Sequence, residues 1–134
     1  MRGLDLPPRV RAQVELWRAR AQAGLEVTCG GVSMEPVIAR GDRVRVCPGR
    51  PRRGEIAAFV TAGGQLELHR LVARGPAGWW VHAGDNQAAP VLGLVHDRQI
   101  VGVVARRRRS PSLAMRARAA VRLALAGARR LGQR

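Results

Sequence analysis

The chain has 134 residues and a formal net charge of +15, with 46% hydrophobic but only 3% aromatic residues. This length favours one domain with short extensions and a core built mainly from Val, Leu, Ile and Ala. All 24 basic residues are Arg, which excludes any chemistry that requires a Lys side chain as base.

Residues 1–27 are predicted to form an N-terminal amphipathic helix. Four apolar residues recur at helical spacing after a Pro-Pro pair, and the glycine at position 24 suits a helix C-cap. The four are Val10, Val14, Trp17 and Ala21.

Residues 28–106 are predicted to form a small, mostly antiparallel β domain. Short β-type runs alternate there with turns that contain Gly and Pro, a pattern typical of such domains. The runs are RVRV (43–46), EIAAFV (55–60), LELHRLVA (66–73), WWVHA (79–83) and IVGVVA (100–105). The predicted fold class is therefore mainly β, with a helix at each end.

Residues 107–134 are predicted to form an Arg-rich C-terminal amphipathic helix. Residues 106–134 contain ten Arg and no acidic residue, which suggests an anionic partner. The helix either packs on the domain or lies on an anionic membrane surface. Its predicted apolar face comprises Leu113, Ala117, Val121, Ala124, Ala128 and Leu131, opposite Arg118, Arg122 and Arg129.

The sequence contains few indications of location or of a metal. No apolar run approaches the ~20 residues of a membrane span, and the N-terminus lacks the apolar core of a signal peptide. We therefore expect a cytoplasmic or peripheral membrane protein. Cys29 and Cys47 form no zinc-type spacing, so we expect two buried thiols and neither metal nor cofactor.

The segment CGGVSMEPVIARGD (29–42) contains a candidate nucleophile, Ser33. A serine nucleophile needs a tight turn, a neighbouring base and donors for an oxyanion. Gly30 and Gly31 permit a tight backbone path before Ser33, and Pro36 fixes the chain after it. Asp42 is expected to shape the closing turn.

The longer pattern resembles the signal peptidase I and LexA-type serine peptidase family over about residues 28–106. GVSMEPVIARGDRVRV is similar to its nucleophile box, LHRLV to the His-Arg box, HAGDNQ to the G-D-N box, and IVGVV to the closing strand. RRGEIAAF is similar to the family's G-D-I-V-x-F strand, with Glu55 where Asp is usual. The His-Arg box is that of the endoplasmic-reticulum and archaeal type of signal peptidase, which uses His where most bacterial members use Lys.

The resemblance implies a triad of Ser33 as nucleophile, His69 as base and Asp85 as the group that orients the base. The Ser33 backbone N–H would bind the oxyanion. The neutral imidazole of His suits a base at pH 7, since its ordinary pKa is ~6.5. His82 is the alternative base, His96 is a further histidine, and Asp97 is a weaker second acid.

Two positions depart from the family pattern. Gly31 stands where many bacterial members have a Ser that donates to the oxyanion. Val91 stands where the eukaryotic-type enzymes have a second acid. Both departures predict a weaker site rather than a different reaction class.

The predicted function is therefore a serine endopeptidase of signal-peptidase type. It would cleave a precursor or signal peptide after small residues, with the peptide or precursor protein as its partner. The alternative is a non-catalytic basic binding protein on the same fold, with nucleic acid or an acidic protein as partner. Nucleic acid is disfavoured, because the charge lies on the tail and few aromatic residues are available for stacking.

Overall fold

The computed structural model describes residues 4–88, 90–105 and 120–126. Helix α1 spans Pro8–Gln22. The strands are β1 (Leu25–Thr28), β2 (Arg43–Cys47), β3 (Ile56–Val60), β4 (Leu66–Arg74), β5 (Trp79–Ala83), β6 (Leu92–His96) and β7 (Ile100–Val104). Short 3-10 turns lie at Pro76–Gly78 and Asp97–Gln99, and residues 120–126 are helical.

The strands form one antiparallel sheet in the order β1-β2-β7-β3-β4-β5-β6. The prediction of a small, mainly antiparallel β domain is confirmed. Strands β1 and β6 were not among the predicted runs. The predicted helix of residues 1–27 was too long, since α1 ends at Gln22 and β1 begins at Leu25. Strand β6 contains Gly93. A glycine is needed there because a Cβ at this position would lie 2.6 Å from Nε2 of His82 on the neighbouring strand.

Strand β3 is buried on both sides, which shows that core residues lie on both faces of the sheet. Ile56, Ala58 and Val60 join the side that α1 covers with Val10 and Val14. Helix α1 therefore shares one core with the strands. The intervening β3 residues belong to a second cluster on the opposite face, which comprises Ala57, Phe59, Leu71, Trp80, Val95 and Ile100.

The described part of the C-terminal segment packs on the sheet through one side chain. Leu123 contacts the cluster of Val72, Val81 and Ala83, whereas Val121 and Leu125 are 59% and 53% exposed. Leu123, which makes this contact, is thus not part of the predicted apolar face. Other residues of that prediction lie outside the described residues: Leu113, Ala117, Ala128, Leu131, Arg118 and Arg129. Within the described residues, none of the helices combines the length and the apolar character that crossing a membrane requires.

Candidate active site

The loop between β1 and β2 holds Ser33 in a fixed position. Cys29 and Asp42 close its base, since the Cys29 amide donates to the Asp42 carbonyl at 2.8 Å. Met34 and Ile38 are buried in the core next to α1 and anchor the loop from within. The Asp42 carboxylate also accepts from the amide three residues earlier at 2.9 Å, so this residue shapes the turn as predicted. Ser33 itself is half-buried on this loop.

The segment after β5 fastens the serine turn from the other side. The amide of Asn86 donates to the Ser33 carbonyl, and its side-chain Nδ2 donates to the Val32 carbonyl, each at 2.9 Å. Gly84 lies directly against the Ser33 backbone, where an added Cβ would overlap the carbonyl oxygen. The G-D-N box therefore positions the nucleophile through its first and third residues.

Ser33 and His69 meet as the sequence predicts. Nε2 of His69 lies 3.1 Å from the Ser33 Oγ, which is hydrogen-bond distance. His69 is 4% exposed on β4, with the ring of Phe59 at 6.0 Å. Burial lowers the pKa of His69 below its ordinary value, and the negative charge of Asp85 partly offsets this. The imidazole is therefore neutral at pH 7 and can accept the serine proton.

His82, the alternative base in the sequence analysis, contacts the base instead of the serine. Its Nδ1 lies 2.8 Å from Nδ1 of His69, and the centroids of the two rings are 4.9 Å apart with 29° between their planes. His82 is 7% exposed. Burial, and then the proximity of His69, lower the pKa of His82 to about 3. Both imidazoles are thus neutral near pH 7.

Asp85 is placed differently from the role that the resemblance implies. Its two carboxylate oxygens accept from Nε and Nη2 of Arg70 at 2.8 and 2.6 Å. The reason is the alternation of side chains along β4, which turns Arg70 to the opposite face from His69. A buried carboxylate needs a paired charge, and Arg70 supplies it. Asp85 thus affects His69 through its negative charge at a distance, and it does not accept a hydrogen bond from Nδ1 of His69.

The remaining predicted candidates serve other contacts. The ring of His96 bonds the Ala77 carbonyl through Nε2 at 2.9 Å and accepts from the Arg98 amide through Nδ1 at 3.1 Å. Asp97 accepts from Nε1 of Trp80 at 2.8 Å. These contacts fix the turn between β6 and β7 and account for both side chains without catalysis.

Glu67 is a site residue that the sequence analysis missed. Its Oε2 lies 4.0 Å from Nδ1 of His69, too far for a hydrogen bond but close enough for charge interaction. Burial raises the pKa of Glu67. The sequence could have indicated Glu67 through its position two residues before His69, because residues i and i+2 of a strand share a face.

The backbone near Ser33 leaves room for a substrate carbonyl. Among the described residues, no acceptor bonds the Ser33 amide. A Cβ added at Gly30 or Gly31 would meet no heavy atom within 4 Å, so the chain before the serine is open to solvent. This is the space that an oxyanion and the residues of a bound peptide need.

A second concave region lies away from this site. It is a cleft of about 570 Å³ between α1, the loop at 48–51 and the turn after β6. Its charged lining is mixed in sign: Arg11, Arg18, Arg50 and Arg98 with Asp5, Glu15 and Asp97.

Within the described ranges, no group of three or more His, Cys, Asp or Glu side chains is arranged to hold a metal ion.

The site thus combines a half-buried hydroxyl, a neutral imidazole within hydrogen-bond distance and a backbone amide that bonds no acceptor among the described residues. These are the parts of a nucleophilic serine site. Searches against protein-family models, curated proteins and solved structures find no match to this chain. The chemical interpretation therefore depends on the geometry and on the sequence boxes.

Proposed function

We propose that this protein is a serine endopeptidase of signal-peptidase type, with Ser33 as nucleophile and His69 as general base. The observation that carries the proposal is the 3.1 Å separation of Ser33 Oγ and His69 Nε2. The resemblance points to the same pair, since its nucleophile box contains Ser33 and its His-Arg box contains His69.

In the proposed reaction, His69 Nε2 takes the Ser33 Oγ proton while Oγ bonds to the carbonyl carbon of the scissile peptide. The carbonyl oxygen becomes an oxyanion that the Ser33 amide stabilises. The tetrahedral intermediate collapses, the C–N bond breaks, and the imidazolium returns its proton to the leaving amine. A water, deprotonated by the same imidazole, then hydrolyses the acyl ester and restores Ser33.

The proposed substrate is an extended peptide with small residues before the cut, as the resemblance implies. Strand β1 lies at one end of the sheet order and ends at Thr28, five positions before Ser33. An added substrate strand along β1 would run toward the nucleophile. Gly30 and Gly31 leave the passage beside Ser33 unobstructed.

The proposed location of the enzyme is an anionic membrane surface. The helix at 120–126 packs through Leu123 and leaves Val121 and Leu125 exposed. The segment 106–134 around it carries ten Arg and no acidic residue. Exposed aliphatic side chains among cationic ones suit the boundary between headgroups and acyl chains.

The test is hydrolysis of a peptide library with Ala or Gly at the positions before each candidate bond, analysed by mass spectrometry. We expect the unsubstituted protein to cut after small residues, and Ser33→Ala to lose that cleavage. Ser112→Ala is the matched control and should cut normally. An uncut library, together with salt-sensitive binding to nucleic acid or an acidic protein, would favour the non-catalytic alternative.

A further inference from the structure

We propose that His82 is the positioning residue for His69, holding its proton on Nδ1 so that Nε2 faces Ser33 as an acceptor. This inference rests on the proposed function and specifies how its base is oriented. It replaces the expected Ser-His-Asp arrangement by Ser33-His69-His82. The contact that carries it is the 2.8 Å separation of the two Nδ1 atoms.

The proton assignment follows from the two contacts of His69. A base at Nε2 needs a free lone pair there, and a neutral imidazole then carries its proton on Nδ1. That N–H points at Nδ1 of His82, which must be the acceptor in a 2.8 Å contact. His82 therefore carries its own proton on Nε2. The reverse arrangement, with His82 Nδ1–H donating to His69 and His69 Nε2–H donating to Ser33, would satisfy the same two contacts but leave no acceptor for the serine proton.

The ring of His82 is held in this orientation from several sides. Its ring centroid lies 4.9 Å from that of His69 and 4.8 Å from that of Phe59, whose ring is tilted by 47°. Strand pairing places Gly93 opposite His82, and the absence of a Cβ there leaves space for the Nε2 edge. Burial keeps His82 uncharged, which an acceptor at Nδ1 requires.

The acidic groups near the pair occupy other positions. Asp85 bonds Arg70 with both oxygens, and Glu67 is 4.0 Å from the His69 Nδ1. His82 is thus the described side chain at hydrogen-bond distance from that nitrogen. Because His82 is neutral, it orients the imidazole but does not provide the negative charge with which a carboxylate would stabilise the imidazolium. The charge must come from Glu67 and Asp85 at longer range.

The first test compares His82→Leu and His82→Asp in the full-length protein, with Ser33→Ala as the baseline that lacks the nucleophile. The readout is the rate of labelling by a fluorophosphonate between pH 5 and 9. Leu removes the acceptor, and we expect a fall of about 10²-fold or more, as for other losses of the orienting group. An ionised Asp at the same position can only accept and should restore the rate to within about tenfold. Labelling of His82→Leu within about threefold of the unsubstituted rate would overturn the inference while leaving the protease proposal intact.

The second test does not depend on activity or on the variants folding. Nitrogen-15 NMR of the unsubstituted protein at pH 7.5 reports which ring nitrogen of each histidine is protonated. We expect His69 protonated on Nδ1 and His82 on Nε2. A His69 protonated on Nε2 would overturn the inference, whether or not the probe labels Ser33.

Discussion

Arg70 and Asp85 form a buried, doubly hydrogen-bonded ion pair directly behind the candidate site. The two donor–acceptor distances are 2.8 and 2.6 Å, and the side chains are 2% and 4% exposed. Arg70 also donates to the Gly54 carbonyl at 2.7 Å. The pair therefore joins β4 and the turn before β3 to the segment that fastens Ser33.

Replacing Asp85 by Ala should destabilise the whole domain. The variant leaves a buried guanidinium without its charge partner, which typically costs about 3–5 kcal/mol of unfolding free energy. Glu26→Ala is the matched control, because the Glu26–Arg43 ion pair is 59% and 73% exposed and should cost less than about 1 kcal/mol. Urea unfolding measures both. If the Asp85→Ala protein were as stable as the unsubstituted one but did not cleave peptides, Asp85 would be the acid that orients His69.

Gly84→Ala should displace the serine turn. Its Cβ would overlap the Ser33 carbonyl, so the two backbone segments must move apart, which alters the contact of Ser33 with His69. A shift of about 1 Å at a reacting group can cost about 10²-fold in rate. Gly63→Ala is the control, since its Cβ meets only the Thr61 hydroxyl, at 3.8 Å. Equal probe-labelling rates for the two variants would contradict the positioning of Ser33 by the segment after β5.

The pH profile of peptide cleavage should reflect a base with a lowered pKa. His69 acts when neutral, and burial lowers its pKa below the ordinary 6.5. The value of kcat/KM should therefore fall to half of its plateau at a pH below 6.5. A half-maximal point above 6.5 in the acid limb would show that a different or less buried group is the base.

Attachment to anionic vesicles should depend on the exposed residues of the helix at 120–126. Each Arg near an anionic surface contributes about 1 kcal/mol, and the apolar contact adds to this. The double variant Val121→Gln and Leu125→Gln should weaken vesicle binding without changing thermal stability. Leu123→Ala should instead lower stability, because Leu123 packs on the sheet. Full-length protein that does not sediment with anionic vesicles at low salt would exclude membrane attachment.

Much of the fold could be predicted because β-type runs and glycine turns are local signals. The predicted run WWVHA coincides with β5, and IVGVVA extends one residue beyond β7. Strands β1 and β6 could not be predicted, because β1 has only four residues after the helix and β6 lies in a looser segment before IVGVVA. Gly93 within β6 is required only because the ring of His82 lies beside it. That requirement arises from strand pairing, which the sequence does not specify.

The candidate site shows the same limit. Ser33 and His69 could be paired through the resemblance, but the partner of Asp85 depends on which face of β4 the loop approaches. His82 on β5 pairs with Leu71 on β4, next to an irregularity in the register. This pairing places His82 diagonally across from His69, which lies two residues before Leu71 on the same strand. Neither the register nor the irregularity is visible in the sequence.

The most direct measurement for the central claim is the site of fluorophosphonate modification. The intact protein at pH 7.5 should gain one adduct mass, and peptide mapping should place it on Ser33. His69→Gln should slow this labelling by several orders of magnitude, as the loss of a triad base does, and Ser33→Ala should abolish it. A folded, unsubstituted protein that stays unlabelled, or that is labelled elsewhere than at Ser33, would contradict the assignment of Ser33 as the nucleophile.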